Sequence, residues 1–218
     1  MKKLLIFCLL PLLMSFQLEE CSSNNTQTTY VETPAEELQG LQKAYFASGC
    51  FWCVEAVFES VKGVKESVSG YSGGTESNPT YQQVGAGLTS HAEAVEVFYD
   101  PNVISYQTLV KVFYGSHNPT TVNGQAPDFG PQYRSMIYYQ NDEEKAIATA
   151  FKDSLDASGA YKQPIATEIV KFKKFWKAEE YHQDYEKRNP NQSYVVNVSV
   201  PRLKRFQAKF PELLKENH

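Results

Sequence analysis

Apolar residues recur in the first half of the chain at two periods, one typical of strands and one typical of helices. Residues 43–48 form a short apolar run, and Gly49 follows it as a bend. Across residues 51–61 apolar side chains return every three or four positions, which is the spacing of one helix face. The pattern predicts a strand, a sharp turn and a helix in direct succession.

Residues 91–100 alternate between apolar and polar positions, as a strand does. The alternation places Glu93 on the same strand face as Val95 and Val97. Apolar periodicity, together with the residues that typically begin or end an element, predicts the other elements. They are strands at 64–70, 134–140 and 165–170, and helices at 105–114, 141–157, 177–187 and 201–214. Because strands and helices alternate with irregular connections, we predict an α+β fold with a mixed sheet covered by helices.

Length and composition predict one catalytic domain, in residues 43–218. The chain has 218 residues, of which 42% are hydrophobic, and this suits a single domain with a substantial core. Residues 22–42 are polar and lack an apolar period, so they are predicted to be a flexible linker. The net charge of −4 and the absence of a Lys/Arg block disfavour nucleic acid as a partner.

The first 21 residues have the pattern of a secretory signal peptide. Two lysines precede an apolar stretch at residues 4–16, which is too short to span a bilayer. Cys21 and the polar residues behind it resemble a lipid-attachment site, although Glu19 and Glu20 stand where lipoprotein signals carry small residues. We therefore predict an extracytoplasmic protein, in the periplasm or cell envelope, and leave membrane attachment through a lipidated Cys21 open.

The candidate chemistry centres on residues 49–53 (GCFWC), at the predicted turn from strand to helix. Unpaired N–H groups and the helix dipole at such a turn favour thiolate over thiol at Cys50. Cys53 lies one helical turn later on the same side, so its sulfur can approach that of Cys50. The spacing allows both nucleophilic attack and disulfide formation.

Three kinds of site share this Cys-x-x-Cys spacing: a zinc half-site, a disulfide oxidoreductase centre, and a nucleophile with a resolving partner. Zinc is disfavoured because no second Cys pair exists and the four histidines show no metal spacing. In thioredoxin-like sites a Trp precedes the first Cys, whereas here aromatic residues fill the gap. A binding lipoprotein in which the pair is only a structural disulfide is a further alternative.

A cysteine nucleophile needs a proton donor nearby, and Glu93 is the outstanding candidate. Burial penalises the charged carboxylate, raises its pKa and leaves it protonated near neutrality. Glu55 is a second carboxylate near the thiols, but its offset from Cys50 along the helix turns it away from that sulfur. A structural role is predicted for Glu55.

Several blocks together resemble the A-type peptide methionine sulfoxide reductases. They are residues 49–52 (GCFW) followed by Glu55, residues 78–81 (NPTY), residues 91–95 (HAEAV) and residues 128–135 (DFGPQYRS). The resemblance implies a two-layer α+β sandwich with a ferredoxin-like core and peripheral helices. It also implies an enzyme that reduces methionine S-sulfoxide, free or in proteins, without a metal or organic cofactor.

The resemblance also assigns a role to each matching residue. Cys50 attacks the sulfoxide sulfur, and the rings of Phe51 and Trp52 enclose the substrate methyl group. The side chains that hold and protonate the sulfoxide oxygen are Glu93, Tyr81 and Tyr133. Asp128 orients water or the substrate backbone, whereas His91, His117 and His182 are expected to be structural or supporting residues.

Attack leaves Cys50 as a sulfenic acid, which a nearby thiol condenses to a disulfide. Some family members resolve this intermediate through cysteines near the C-terminus, but this chain has none after Cys53. Our hypothesis is direct closure between Cys50 and Cys53, followed by reduction by a thioredoxin-like partner. We expect the enzyme to be a monomer.

Overall fold

One six-stranded mixed sheet organises the structure, a computed structural model that describes residues 30–216. The strands are β1 (Gln42–Ala47), β2 (Val64–Ser72), β3 (Ala92–Tyr99), β4 (Gly124–Gln125), β5 (Asp128–Phe129), β6 (Met136–Tyr139), β7 (Glu168–Lys171) and β8 (Phe175–Lys177). The helices are α1 (Phe51–Glu59), α2 (Tyr81–Gly85), α3 (Tyr106–Gly115), α4 (Asp142–Ala157), α5 (Tyr185–Arg188) and α6 (Val200–Lys209). A π-helical segment, Val195–Ser199, leads directly into α6.

The sheet has the order β7-β6-β1-β3-β2-β8, and β4 and β5 form a separate small hairpin. All neighbours in the large sheet are antiparallel except β6 and β7. The central strand β3 pairs Val95 with Phe46 of β1 and Glu93 with Tyr71 of β2. Glu93 therefore lies in the middle of the sheet. These findings confirm the predicted α+β fold with a mixed sheet.

Helix α1 begins immediately after β1 because Gly49 makes the turn that the sequence predicts. Gly49 has a φ of 84°, in the region that favours glycine, and a Cβ there would lie 2.8 Å from the side chain of Gln125. One face of α1 is fully buried against the sheet, with Phe58 stacked on Phe46 at 4.9 Å between ring centroids. This packing holds α1 against the sheet.

The predicted helix at 177–187 is wrong. In its place the chain forms β8, a short 3-10 turn at Glu180–His182 and the four-residue α5. Trp176 pairs with Tyr71 at the sheet edge, and Asp184 has a φ of 50°, which no α-helix can contain. Side-chain bonds hold this irregular path, because the Gln183 amide bonds both backbone groups of Ser69. Long-range pairing thus overrides the helical period.

The predicted last helix, at 201–214, forms as α6 but is shorter. It begins at Val200, with Pro201 in the first turn where a missing N–H costs nothing, and it ends at Lys209. A 3-10 turn, Pro211–Leu213, follows it. At the start of α4 only half of a capping box forms. The Asn141 side chain accepts the Glu144 N–H at 2.9 Å, but the Glu144 carboxylate accepts the N–H of Gln140 at 2.7 Å.

Residues 30–41 run beside β2, where Glu37 pairs with Lys65 at 2.6 Å and Glu32 pairs with Lys177. The predicted signal peptide and Cys21 lie outside the described residues, so the boundaries at residues 21 and 42 stay predictions. Within residues 30–216, none of the helices has the length and apolar content needed to cross a bilayer.

Candidate active site

Cys50 and Cys53 meet at the first turn of α1. Cys50 is the N-terminal cap residue of the helix and is 7% exposed, whereas Cys53 is 2% exposed. Both are free thiols, and their side chains are hydrogen-bonded to each other. The spacing of the two cysteines along α1 predicts this approach, which allows the two sulfurs to react.

Glu93 lies on the same side of the sheet as the two thiols. Its carboxylate accepts the backbone N–H of Phe51, the residue after Cys50, at 3.0 Å. The side chain is 2% exposed, and burial raises its pKa to about 8, while the Phe51 N–H opposes the rise and the Asp128 carboxylate adds to it. At neutral pH Glu93 therefore holds a proton beside Cys50.

This raised pKa makes a prediction for stability. Between the ordinary pKa of Glu, about 4.5, and the folded-state value, about 8, the folded chain binds the proton and the unfolded chain does not. Glu93 therefore makes the free energy of unfolding fall as pH rises through this window, by up to about 1.4 kcal/mol per pH unit. In Glu93→Gln this component of the slope is absent.

Urea unfolding of the parent and Glu93→Gln at several pH values measures the difference. Other buried carboxyl groups contribute equally to both proteins and cancel. We expect the variant to gain stability relative to the parent toward pH 8, and an equal pH slope in the two proteins would contradict a buried, protonated Glu93.

The electrostatics of the two thiols differ from the sequence prediction, which assigns the thiolate to Cys50. Burial raises the pKa of Cys50 well above its usual range. The pKa of Cys53 falls to about 6, chiefly because it accepts the hydrogen bond from Cys50, with further help from the Arg202 guanidinium and the Ser199 hydroxyl at 2.9 Å. The negative charge of the pair rests on Cys53, and Cys50 donates to it.

Aromatic rings line the approach to Cys50. The Phe51 ring lies 6.2 Å from those of Trp52 and Tyr81, as measured between centroids. Trp52 stacks on Tyr185 at 3.7 Å and donates its indole N–H to His182 at 3.1 Å. The rings are thus held in place by packing and by one hydrogen bond before any substrate arrives.

The hydroxyl groups of Tyr81 and Tyr133 both interact electrostatically with Glu93 and Cys50. The start of α2 is fixed because the N–H of Tyr81 donates to the Glu179 carboxylate at 2.9 Å. The Tyr133 carbonyl accepts the Gly49 N–H at 3.2 Å, next to Cys50. Burial raises the pKa of Tyr81 to about 12 and that of Tyr133 further, so both hydroxyls remain protonated donors.

Asp128 reaches the thiols through a tyrosine that the sequence analysis does not single out. Asp128 lies in the β4–β5 hairpin. The Tyr194 hydroxyl donates to Asp128 and lies 4.0 Å from the Cys53 sulfur. Burial raises the pKa of Asp128. The eight predicted site residues therefore lie in α1 or in elements grouped around its first turn. They are Cys50, Phe51, Trp52, Cys53, Tyr81, Glu93, Asp128 and Tyr133.

Three residues of this environment are absent from the sequence prediction: Tyr194, Ser199 and Arg202. Tyr194 directly precedes the π-helical segment, Ser199 ends it and Arg202 lies in α6, all more than 140 positions after Cys53. Arg202 is 8% exposed, and a buried arginine signals a fixed polar partner. The amphipathic period of α6 indicates a helix, but it does not indicate which residues it contacts.

The histidines have identifiable partners. His91 accepts the Gly74 N–H at 3.2 Å and donates to the Glu76 carbonyl at 2.8 Å. His117 donates to the Phe113 carbonyl at 2.7 Å, and burial lowers its pKa to about 3. Both therefore support turns and helices, as predicted.

His182 is closer to the site. It is 1% exposed, and burial lowers its pKa to about 4, so the ring is neutral. Because Nδ1 accepts the Trp52 indole N–H, the ring proton is on Nε2, which has no partner among the described residues. His182 thus orients Trp52, one of the predicted methyl-binding rings.

Glu55 joins three elements, in agreement with the structural role predicted for it. It accepts the Ser69 hydroxyl of β2 and the Asp184 N–H that precedes α5. Glu59 and Asp184 complete a group of three carboxylates, and the Lys187 ammonium lies 2.8 Å from Glu59 and 2.7 Å from Asp184. Lysine and hydrogen bonds thus account for this acidic group.

Comparison with known proteins identifies the family. The peptide methionine sulfoxide reductase family model matches residues 42–214. The chain is 47% identical over 178 residues to peptide methionine sulfoxide reductase MsrA 2 of Synechocystis sp., covering 81% of this chain and 83% of the relative.

Solved structures agree. The reduced form of Mxr1 from Saccharomyces cerevisiae aligns with a TM-score of 0.66 at 34% identity, over 70% of this chain and 87% of that one. Methionine sulfoxide reductase A of Corynebacterium diphtheriae aligns with a TM-score of 0.63 at 33% identity, over 71% of this chain and 77% of that one. The chain therefore belongs to the A-type branch, MsrA, of the peptide methionine sulfoxide reductase family.

Proposed function

We propose that this enzyme reduces methionine S-sulfoxide, free or in oxidised proteins, through Cys50, with Glu93 as the proton donor. The observation that carries the proposal is the hydrogen bond from the Phe51 N–H to Glu93 at 3.0 Å, because it holds a buried acid beside the first thiol of the pair. The substrate methyl group would lie between Phe51 and Trp52, as the family resemblance implies.

The reducing step follows from these positions. Glu93 protonates the sulfoxide oxygen, with hydrogen bonds from the hydroxyls of Tyr81 and Tyr133, and the substrate sulfur becomes electrophilic. As Cys50 attacks, its proton passes to Cys53 along the existing hydrogen bond. The oxygen is left on Cys50 as a sulfenic acid and methionine departs, so the sulfoxide is reduced and Cys50 is oxidised. Asp128, held by Tyr194, orients water or the substrate backbone.

Cys53 then attacks the sulfenic acid, water leaves and a Cys50–Cys53 disulfide forms. A thioredoxin-like reductant restores both thiols by thiol–disulfide exchange. No residue role in this cycle requires a metal or an organic cofactor, and the enzyme acts as a monomer.

Cys53→Ser tests the resolving step. We expect one methionine per chain in the absence of reductant, formed more slowly because the proton acceptor for Cys50 is lost. Turnover driven by thioredoxin should fall to background, because no partner thiol remains near Cys50. Assays of methionine release with and without thioredoxin measure both effects, and unchanged cycling would instead assign resolution to Cys21 or an external thiol.

The sheet supports the finer fold assignment, a two-layer sandwich with a ferredoxin-like core. Its four central strands have the order β6-β1-β3-β2, and α1 and α3 connect β1 to β2 and β3 to β6. Comparison of superposed backbones restricted to these six elements tests the assignment.

Export is proposed from the lysine pair and the apolar stretch at residues 4–16, with lipidation of Cys21 as its anchoring form. Mass spectrometry of the mature N-terminus decides both points. An uncleaved terminus would refute export by this signal, and an unmodified Cys21 would refute anchoring.

Epimer-resolved assays test the activity itself. The full chain, with Cys8→Ser and Cys21→Ser to remove the other thiols, is given each sulfoxide epimer with dithiothreitol. We expect methionine from the S epimer only. Reduction of insulin disulfides without methionine release would indicate a general thiol–disulfide oxidoreductase.

A further inference from the structure

A cavity of about 410 Å³ lies between α6 and residues 115–128 and reaches Cys53. Its lining includes Cys53 and Tyr194 but not Glu93, Phe51, Trp52 or Tyr81. None of these last four side chains lines this cavity, which is called the α6 cavity below. Its volume lies within the range of small-molecule sites.

The α6 cavity is rich in positive charge. Arg202, Arg205 and Lys209 line it from α6, against one lining carboxylate, Asp128. His117 also lines it and is neutral, because burial lowers its pKa to about 3. In a chain of net charge −4, such a cluster favours an anionic ligand.

The innermost cation is fixed in place. Arg202 is 8% exposed, and it donates to the Ser116 carbonyl at 2.9 Å and to the Ser48 hydroxyl at 3.1 Å. Arg205 and Lys209 are exposed, so they add charge at the solvent side. The α6 cavity thus combines a buried, hydrogen-bonded cation, two exposed cations and the Cys53 sulfur.

We propose that the α6 cavity admits a low-molecular-weight thiol that carries carboxylates, and that this thiol reduces the enzyme by attacking Cys53. The proposal rests on the proposed function, because it concerns the Cys50–Cys53 disulfide formed there. It adds a reductant class and an entry route distinct from that of the sulfoxide.

The exchange balances with two molecules of the thiol. The first, as thiolate, bonds to the Cys53 sulfur, the disulfide breaks, and Cys50 leaves and takes a proton from Glu93. The second thiolate attacks the sulfur of the bound molecule, and Cys53 leaves as a thiolate beside Arg202 and Ser199. A leaving thiolate of low pKa speeds this second step. The small thiol is oxidised to its disulfide, and the enzyme is reduced.

The test uses Cys53 alone, independently of sulfoxide chemistry. In Cys50→Ser, with Cys8→Ser and Cys21→Ser, Cys53 reacts with two aromatic disulfides: the dianion dithiobis-nitrobenzoate and the neutral dithiodipyridine. The ratio of the two rate constants removes differences in thiolate fraction between variants. Arg205→Gln with Lys209→Gln removes two cavity charges, whereas Lys162→Gln with Lys204→Gln removes two exposed charges elsewhere.

We expect the dianion-to-neutral ratio to fall about tenfold in the cavity variant, and to stay within about twofold in the control. Equal ratios in both variants would overturn the proposal, as would a Cys53 that reacts with neither probe until the chain is unfolded.

A second measurement follows reduction of the preformed Cys50–Cys53 disulfide by mercaptosuccinate and by neutral mercaptoethanol. If Arg205→Gln with Lys209→Gln lowers the preference for the anionic thiol over the neutral one, the result supports attack through the α6 cavity. An unchanged preference refutes this route. Failure of methionine S-sulfoxide to generate the disulfide would refute the proposed function instead, because the probe reactions do not depend on it.

Discussion

Cys50→Ser is expected to abolish reduction of methionine S-sulfoxide, by on the order of 10⁴-fold or more. A serine hydroxyl has neither the nucleophilicity of sulfur nor a stable counterpart of the sulfenic acid, so no other group replaces it. Cys53 cannot substitute, because it is one helical turn deeper and its sulfur bonds Ser199. The first-turnover yield of methionine per chain measures the effect.

The matched control for this variant is Cys53→Ser, which also removes one buried thiol from α1. It should give one methionine per chain where Cys50→Ser gives none. Urea unfolding should show each variant to be folded, with a loss in the free energy of unfolding of about 1 kcal/mol. Methionine formed by a folded Cys50→Ser would refute the assignment of the nucleophile.

Glu93→Gln is expected to lower the rate of the first turnover by about 10² to 10⁴-fold. The amide keeps the shape and can still accept the Phe51 N–H, but it supplies no proton to the sulfoxide oxygen. In the parent enzyme the protonated carboxyl is the active form. Its rate is therefore full between the Cys53 pKa of about 6 and the Glu93 pKa of about 8, and it falls as pH rises through the Glu93 value. The variant should lack this descent.

Glu96→Gln is the matched control, because Glu96 lies on the same strand and bonds Tyr45 at 2.7 Å and Lys43 at 3.1 Å, away from the thiols. It should keep the rate and the pH profile of the parent. A Glu93→Gln enzyme with the parental descent above pH 8 would show that another group donates the proton.

The sequence predicts those parts of the site whose geometry depends on neighbouring residues in the chain. The apolar strand, Gly49 and the helical period behind it place Cys50 and Cys53 correctly, because a turn of positive φ and a single helix turn determine their approach. The burial of Glu93 is also predicted. Because residues on both faces of β3 are buried, however, the alternation of apolar and polar residues does not by itself tell which face of the sheet carries Glu93.

Long-range packing determines the rest. The thiolate is predicted at Cys50 from the helix terminus, yet burial raises the pKa of Cys50, whereas the hydrogen bond from Cys50, the Arg202 charge and the Ser199 hydroxyl lower that of Cys53. These partners lie far along the chain, and no period connects them to the Cys pair. The helix predicted at 177–187 fails for the same reason, because pairing of Trp176 and the bonds of Gln183 override local preference.

Thiol mapping after a stoichiometric reaction shows whether Cys50 and Cys53 together supply the two electrons that reduce the sulfoxide. The full chain with Cys8→Ser and Cys21→Ser is mixed with one equivalent of methionine S-sulfoxide and no reductant, and the products are examined by peptide mass spectrometry. We predict one methionine per chain and a disulfide that joins Cys50 to Cys53. Methionine formed while both thiols remain free would contradict the account.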